Sequence, residues 1–462
     1  MFEIEQDTFQ THTGRDQSFA ALETAMKPSQ FNVWTQLGDG VHLLYNTRSN
    51  ALLRLSAELK RKAESYLARP GATDSDDLAR QLVTLGFMID DATDELALLK
   101  TAERTQRFDG RRLGLTICTT LACNLRCVYC YQKKDSALMS QDVQSKIVDY
   151  VDSRTPGLAA LSVVYFGGEP LVGLPVIESL AQKFQGLAAA RGFNYSAAAI
   201  TNGYLLTEDT AKQLSACGVR SVQVTLDGPQ RIHDQRRPQR NGKGSYDRIL
   251  ENLQRVVGRM EAVSLRVNID KGNADAVPEL LTDLDAAGLR GKVNVYFGLV
   301  DNATESCRDY GCNCFSKEQF ASELPKLQLT ALRHGFVVDN YPGGGMGCGA
   351  TSASAYVVAP DGRLFKCYNH TGVDGSEVGH ISGELDQIRL SRWLAYDPFD
   401  YPKCKACDKL PLCLGSCPAS AVETGEPECP SIAFGLHDTL KMELLNRRFR
   451  EMQRLSNEAR TP

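Results

Sequence analysis

Two kinds of hydrophobic patterning divide the chain. The first alternates, in Asn32-Val33-Trp34-Thr35-Gln36 and again in Val41-His42-Leu43-Leu44-Tyr45 beyond a turn at Gly38-Asp39-Gly40. Apolar alternation on both sides of Asp-Gly predicts a β-hairpin. A third run, Ala51–Leu55, ends at Ser56, which suits the cap of a helix over 57–68. A second helix is expected over 75–85 and a short strand at Phe87–Ile89. These elements make a small winged-helix-like domain, assigned to 1–105, with residues 1 to about 30 loosely ordered and Thr101–Arg111 a charged linker.

The second kind of patterning starts at Leu113, where short apolar runs alternate with helical spacing. Strands are expected at Leu113–Thr116, Val163–Phe166, Ala197–Ile200, Val222–Leu226, Leu265–Ile269 and Val293–Val300. Helices are expected near 140–153, 176–190, 207–216, 245–259 and 276–287. Apolar strands separated by helices argue for an α/β fold with a parallel sheet covered by helices. Six units are too few to close an eight-stranded barrel, so an open, partial (β/α)6 TIM-like barrel is expected over 106–305. Its active site belongs at the C-terminal ends of the strands. Beyond 305 the periodicity weakens, and no long apolar pattern returns until a helix over 433–455. This third region, 306–462, is rich in Gly, Pro and Cys, and ligand binding there would contribute directly to folding.

Charge and hydropathy exclude more than they identify. A net charge of -4 gives no argument for nucleic acid or a membrane surface. No apolar run approaches a membrane span, and the polar start Met1–Gln6 does not read as a signal peptide. Fifteen cysteines are the outlier. An odd count without a secretory signal argues for metal ligation in a reducing cytoplasm at low oxygen, rather than for a disulfide framework.

The densest group is Cys123-Asn-Leu-Arg-Cys127-Val-Tyr-Cys130. Three thiolates this close fit one iron–sulfur cluster, where four cysteines are usual, so one iron is left for another ligand. A structural zinc site or buried thiols are the alternative. Gly167-Gly168-Glu169-Pro170 follows the second strand; its glycines allow close backbone approach, and Glu169 could accept from an ammonium group. Thr201-Asn202-Gly203 ends the third strand and Asp227-Gly228-Pro229 the fourth, although Asn and Asp also serve simply as turn formers. His233-Asp234 with Arg237, and Arg266-Val267-Asn268 on the fifth strand, complete the polar set.

With Tyr129 at its aromatic position, the C-x3-C-x2-C motif resembles the signature of the radical S-adenosylmethionine superfamily. The resemblance implies a [4Fe-4S] cluster on Cys123, Cys127 and Cys130. S-adenosyl-L-methionine would chelate its fourth iron, and reductive cleavage would give a 5'-deoxyadenosyl radical. It also implies cofactor contacts from Tyr129, Gly167, Gly168, Glu169, Asn202, Asp227 and Arg266, with Glu169 on the methionine amino group and Asn202 and Asp227 near the ribose. An ion pair inside the barrel is the alternative for Arg266.

A second cysteine series runs Cys348, Gly362-x4-Cys367, Cys404-x2-Cys407-x5-Cys413-x3-Cys417, Cys429. Zinc ribbons are the alternative here; the full order resembles the SPASM extension of radical enzymes. That resemblance implies two auxiliary [4Fe-4S] clusters, one on Cys404, Cys407, Cys413 and Cys429, the other on Cys348, Cys367 and Cys417. Seven cysteines are one short of eight. Either a further residue such as Cys312 or Cys314 donates, or one iron stays open and accepts a substrate thiolate. Cys118 and Cys217 read as buried thiols.

The N-terminal part resembles the domains by which peptide-modifying enzymes add a leader peptide to a sheet edge. The whole chain therefore resembles the radical SAM/SPASM maturases that install thioether or carbon–carbon crosslinks on a ribosomally made precursor peptide. A flavodoxin or ferredoxin-like reductant is the expected partner. One rival is an anaerobic sulfatase-maturase-type enzyme oxidising Cys or Ser to formylglycine. That group carries an Asp directly after the cysteine matching Cys367, where this chain has Tyr368. The other rival is a non-catalytic iron–sulfur electron carrier.

Overall fold

A computed structural model of the chain describes residues 25–38, 40–68, 76–132, 135–300, 313–338, 342 and 347–458. Of the N-terminal residues expected to be loosely ordered, 1–24 lie outside the described residues, as do Asp39 of the hairpin turn and Cys312, whereas Met26–Pro28 form a strand with Met26 buried.

The alternating segments pair as expected. Strands β2 (Asn32–Gln36), β3 (Val41–Asn46) and β4 (Leu52–Ser56) form an antiparallel sheet, and β1 (Met26–Pro28) pairs with β5 (Met88–Asp90). Ser56 Oγ accepts from Leu59 N at 3.2 Å at the start of helix α1 (Ala57–Ala68). One face of the sheet buries Leu44, Leu53 and Leu55 against Leu78 and Leu82 of helix α2 (Asp77–Thr84). The other face places Val33, Leu43, Tyr45 and Leu52 against Leu412, Leu436 and Leu440 from the far end of the chain. This second burial explains why His42-Leu43-Leu44-Tyr45 is more apolar than a one-faced strand requires.

The segment read as a linker is instead the end of helix α3 (Glu95–Arg107). Asp94 caps it by accepting from Ala97 N at 3.0 Å. Its Leu, Ala, Glu, Lys and Arg residues are strong helix formers, so a high charge density did not mean an absence of structure. Its last residue, Arg107, is buried and donates to the carbonyls of Thr351, Trp393 and Leu394 at 2.9, 3.1 and 2.9 Å.

The fold is α/β with a parallel central sheet. Strands β6 (Arg112–Thr120), β7 (Ala160–Gly167), β8 (Asn194–Thr201), β9 (Val219–Thr225), β10 (Ala262–Ile269) and β11 (Asn294–Leu299) run parallel in spatial sequence. Along β7, Leu161, Val163 and Tyr165 are buried with Val176, Ile177 and Leu180 of helix α5 (Leu174–Arg191). The intervening Ser162, Val164 and Phe166 face the inside of the half-open barrel and are only partly covered. The sheet continues past β6 into β12 (Ala355–Val358), β13 (Arg363–Phe365) and β14 (Gly379–His380). The C-terminal region thus supplies a seventh parallel strand, β12, which the sequence pattern did not suggest.

The helix Lys317–Arg333 was also not foreseen. Pro325 interrupts its pattern, but a Ser316/Gln319 capping box starts it, and Phe320, Ala321, Leu327, Ala331 and Leu332 are buried. It packs on the terminal helix Ser431–Glu458, where Gly435 lies so close to Ala321 that a Cβ would sit 3.2 Å from its carbonyl oxygen. No helix among the described residues is long and apolar enough to cross a membrane.

Candidate active site

The site is built where β6 ends. Residues 121–130 leave the strand as a loop and are held from two sides. On one side are the glycines after β7. Gly168 N donates to Thr120 O at 3.0 Å, and Glu169 N to Ala122 O at 2.9 Å. A Cβ on Gly167 would lie 2.2 Å from Thr120 O, and one on Gly168 would lie 2.3 Å from Ala122 O. The close backbone approach read from these glycines is therefore to the chain's own cysteine loop.

Glu169 is fully buried beneath that loop. Its carboxylate accepts from Thr201 Oγ1 at 2.6 Å, Asn202 N at 2.7 Å and Leu171 N at 3.1 Å. Burial raises its pKa, and these hydrogen bonds oppose the rise. Asn202 then reaches back to the cysteine loop, with Nδ2 2.8 Å from Asn124 Oδ1 and 3.7 Å from Cys123 Sγ. Asn202 thus links Glu169 to the first cysteine of the loop.

On the other side a buried polar knot fixes Tyr129. Its hydroxyl donates to Asp227 Oδ2 and accepts from Arg237 Nη1 at 2.7 Å and Asn268 Nδ2 at 3.1 Å. Arg236 stacks over the ring at 5.1 Å and pairs with Asp270 at 2.5 Å. Asp227 Oδ1 accepts from Asn268 N at 3.2 Å, and Asn273 Nδ2 donates to Asp227 O at 2.6 Å. His233 receives the Asp227 amide on Nδ1 at 3.3 Å, and its Nε2 lies 3.1 Å from Ser245 Oγ. In this arrangement the Asp227 carboxylate and the Tyr129 hydroxyl serve protein groups. Arg236, Asp270 and Asn273 were missed by the sequence reading; the Arg236-Arg237 pair beside His233-Asp234 was the available signal.

Arg266 projects into the partly covered interior. Its Nε donates to Asn268 Oδ1 at 2.7 Å, and its guanidinium lies 5.9 Å from the Tyr296 ring centroid. Gly298 makes room for it, since a Cβ there would lie 2.8 Å from Nη2. Among the described residues Arg266 forms no ion pair.

The C-terminal cysteines fall into two sets. Burial pushes the Cys413 thiol up to about 11, and the thiols acting on it are those of Cys407, Cys404 and Cys429. Burial pushes Cys367 up to about 12, with Cys348 and Cys417 as its thiol neighbours. Tyr396 feels Cys404, Cys413 and Cys417 and so stands between the sets. Cys314 is partly buried, just before the helix Lys317–Arg333. Cys118 is buried in an apolar cluster with Leu121, Val357 and Phe365. Cys217 caps the C-terminal end of helix α6 (Glu208–Ala216). Every described cysteine is a free thiol.

The two chemistries face each other. Tyr131, next to Cys130, meets the ring of Tyr368, next to Cys367, at 6.2 Å, and Phe166 of β7 lies 5.8 Å from Tyr368. Tyr368 is 51% exposed. Behind Cys367, the buried amine of Lys366 donates to Ser352 O at 2.5 Å and Ala355 O at 2.6 Å; burial lowers its pKa to about 7.

Among the described residues no three His, Cys, Asp or Glu converge on a single-ion site. A four-iron cluster asks for something different: each thiolate binds its own iron, and N–H groups point at the sulfurs. The loop offers this. Asn124 Nδ2, Gln132 Nε2 and Arg237 Nε are buried without a hydrogen-bond acceptor; Asn124 follows Cys123, Gln132 lies two residues past Cys130, and the Arg237 guanidinium acts on Cys123 and Cys127. Donors left unpaired at an anionic sulfur site fit the group, because burying them without acceptors costs free energy.

The Radical SAM superfamily profile matches residues 117–284, which span the cysteine loop, the Gly-Gly-Glu turn and the polar knot. That stretch is a radical SAM domain. A serine-type anaerobic sulfatase-maturating enzyme of Klebsiella aerogenes is 22% identical over 64% of this chain and 77% of its own length. The structure of native anSMEcpe with bound AdoMet and the Kp18Cys peptide shares the fold over 74% of this chain and 99% of that one, with a TM-score of 0.58 and 20% identity. Streptococcus suis SuiB bound to precursor peptide SuiA shares it over 87% of this chain and 98% of that one, with a TM-score of 0.53 and 12% identity.

Proposed function

We propose that this radical SAM chain modifies a ribosomally made precursor peptide, forming a thioether or carbon–carbon crosslink. In this reading Cys123, Cys127 and Cys130 hold the radical-generating cluster. Cys404, Cys407, Cys413 and Cys429 hold one auxiliary cluster; Cys348, Cys367 and Cys417 hold another, with Cys312, Cys314 or substrate at its remaining iron. The parts are 1–105 for peptide recognition, 106–305 for the barrel and 306–462 for the SPASM-type region. A reducing cytoplasm, which keeps such thiols available, is the matching compartment.

The cluster and S-adenosylmethionine, when bound, supply a 5'-deoxyadenosyl radical that removes a hydrogen atom from the peptide. The chain's residues do the rest. Glu169, held by Thr201, Asn202 and Leu171, presents a fixed anion for the cofactor's ammonium group. The Tyr129 knot keeps the cysteine loop in one conformation. Arg266 offers its guanidinium to a carboxylate within the barrel. Tyr131, Phe166 and Tyr368 form an aromatic wall against which a peptide side chain packs.

The observation that carries the proposal is the Tyr131–Tyr368 contact, which brings the segment after Cys130 to the half-exposed residue after Cys367. The likeness to SuiB extends over more of the chain than that to anSMEcpe, as expected if an N-terminal recognition part is shared. Formylglycine formation remains the rival favoured by the sulfatase-maturase relatives, with Tyr368 where a carboxylate base is expected. Mass spectrometry separates the two. A crosslinked peptide loses two hydrogens and ignores hydrazide reagents, whereas a formylglycine peptide carries an aldehyde that reacts.

A further inference from the structure

The N-terminal sheet reaches the second cysteine series through the turn between β3 and β4. Asn46 and Thr47 at that turn are fully buried. Asn46 fixes the turn: its Nδ2 donates to Ser29 Oγ and Asn32 Oδ1, each at 2.9 Å, and its Oδ1 accepts from Arg48 N at 3.0 Å and Ser49 N at 2.8 Å. Thr47 N donates to Phe31 O at 3.0 Å, and the Thr47 hydroxyl donates to Asp408 O at 2.5 Å, with Phe31 O the more distant acceptor at 3.5 Å. Asp408 directly follows Cys407. Two leucines between Cys407 and Cys413 seat the same loop on the sheet. Leu410 packs with Phe31, and Leu412 with Val33, Leu43 and Tyr45.

The carbonyl that receives Thr47 belongs to the peptide group joining Asp408 to Lys409. The N–H of that same group donates to Cys407 Sγ at 3.4 Å. A donor on the oxygen of an amide polarises it and strengthens its N–H as a donor. Thr47 therefore acts on the Cys407 sulfur through a single peptide unit. The side chains of Asp408 and Lys409 pair with each other at 2.7 Å, so their charges offset one another beside that unit. The first cysteine loop has the same construction. Leu125 N donates to Cys123 Sγ at 3.4 Å, and the carbonyl of that peptide group, Asn124 O, accepts from Arg240 N at 3.2 Å. There the outer donor is backbone of the barrel itself; here it is a side chain lent by the N-terminal sheet. Thr35 Oγ1 and His437 Nδ1, 2.9 Å apart, join the sheet to the terminal helix instead.

We propose that Thr47 is a positioning residue for the cluster assigned to Cys404, Cys407, Cys413 and Cys429, and that it sets the reduction potential there through the Asp408–Lys409 peptide group. The proposal rests on the reading of these four cysteines as ligands of one cluster. The set fits such a group, since the amides of Lys409 and Gly415 serve the Cys407 and Cys413 sulfurs. Hydrogen bonds to the sulfurs of an iron–sulfur cluster help to set its potential. One-electron reduction adds negative charge, and N–H donors favour the more negative state. The Thr47 hydroxyl thus raises the potential, and the part of the chain read as recognising peptide also belongs to a redox centre.

The test is a redox titration of the full, reconstituted chain monitored by electron paramagnetic resonance, following the signal that Cys413→Ser lacks. Thr47→Val should make this cluster harder to reduce. At a fixed potential its reduced-to-oxidised ratio should fall about two- to fourfold. Thr47→Ala, which puts no group in the hydroxyl's place, should shift the ratio the same way. Thr47→Ser, which keeps the hydroxyl, should stay at the parent value. Thr35→Val removes a hydrogen bond between the same two parts of the chain and should leave the ratio unchanged. An equal fall in Thr35→Val overturns the proposal, because loosened docking would then account for the effect. So does an unchanged or raised ratio in Thr47→Val and Thr47→Ala, or a fall in Thr47→Ser as large as theirs. A parent chain that lacks the signal altogether overturns the cluster reading and the proposal with it. A parent signal that the Thr47 variants do not move overturns the proposal alone.

Discussion

The hydroxyl of Tyr129 accepts a hydrogen bond from Arg237 Nη1 at 2.7 Å, so the residue before Cys130 is anchored to a buried guanidinium contributed from beyond β9. Removing the hydroxyl leaves Asp227, Arg237 and Asn268 each short of a partner. Tyr129→Phe should cost about 1–3 kcal/mol, seen as a lower urea midpoint. The cysteine loop should also become more open to protease.

Gly168 tests the other anchor. A methyl group there would meet the backbone carbonyls of Leu121 and Ala122 at 2.4 and 2.3 Å, and backbone cannot rotate away. Gly168→Ala should displace the cysteine loop while the C-terminal thiol sets stay in place. Iron per reconstituted chain should then drop by about a third, and the loss should be confined to the S-adenosylmethionine-responsive electron paramagnetic resonance signal.

Glu169→Gln removes the buried negative charge. Loss of one charge-assisted hydrogen bond should weaken S-adenosylmethionine binding by about 10- to 100-fold, measured by calorimetry. The variant also changes the pH response. Burial raises the Glu169 pKa, so the folded chain holds this proton more tightly than the unfolded chain does. Stability of the cofactor-free protein should therefore fall as pH rises above the ordinary carboxylate range. Denaturant midpoints of the Gln variant should lack that component.

The N-terminal sheet is clamped to the terminal helix through Leu440, which is fully buried with Val33, Leu43 and Tyr45, and through Thr35 Oγ1 and His437 Nδ1, 2.9 Å apart. Leu440→Ala should cost about 2–4 kcal/mol. Hydrogen exchange should rise in β2 and β3 ahead of the central sheet.

Each auxiliary set should empty separately. Cys413→Ser should remove the cluster assigned to Cys404, Cys407, Cys413 and Cys429 and spare the one assigned to Cys348, Cys367 and Cys417. Mössbauer spectra would show this as loss of one four-iron component. Zinc recovered from the parent chain in place of iron would contradict the assignment.

Much of this was legible in the sequence, and the misses have physical causes. The six parallel strands were readable because the face turned toward the helices is buried, so apolar residues recur along each, as Val222, Val224 and Leu226 do. The cysteine loop, Glu169 and Asn202 could be placed at strand ends because each follows an apolar run. Strand β12 was hidden because four residues make too short a run to stand out. The helix Lys317–Arg333 was hidden by Pro325, and α3 by its charge. The approach of Gly167 and Gly168 to Thr120 and Ala122 was not legible, because sequence shows that a backbone comes close, but not which one. The polar knot around Tyr129 joins residues from 129 to 273, a convergence that only the fold creates.

The most direct test of the account is the fate of one hydrogen atom. Anaerobically reconstituted protein would be incubated with S-adenosylmethionine, dithionite and a perdeuterated candidate precursor peptide, and the 5'-deoxyadenosine analysed by mass spectrometry. The account predicts one deuterium in the 5'-deoxyadenosine and a product peptide lighter by the atoms lost in forming the new bond. Unlabelled 5'-deoxyadenosine with a peptide of unchanged mass would contradict it.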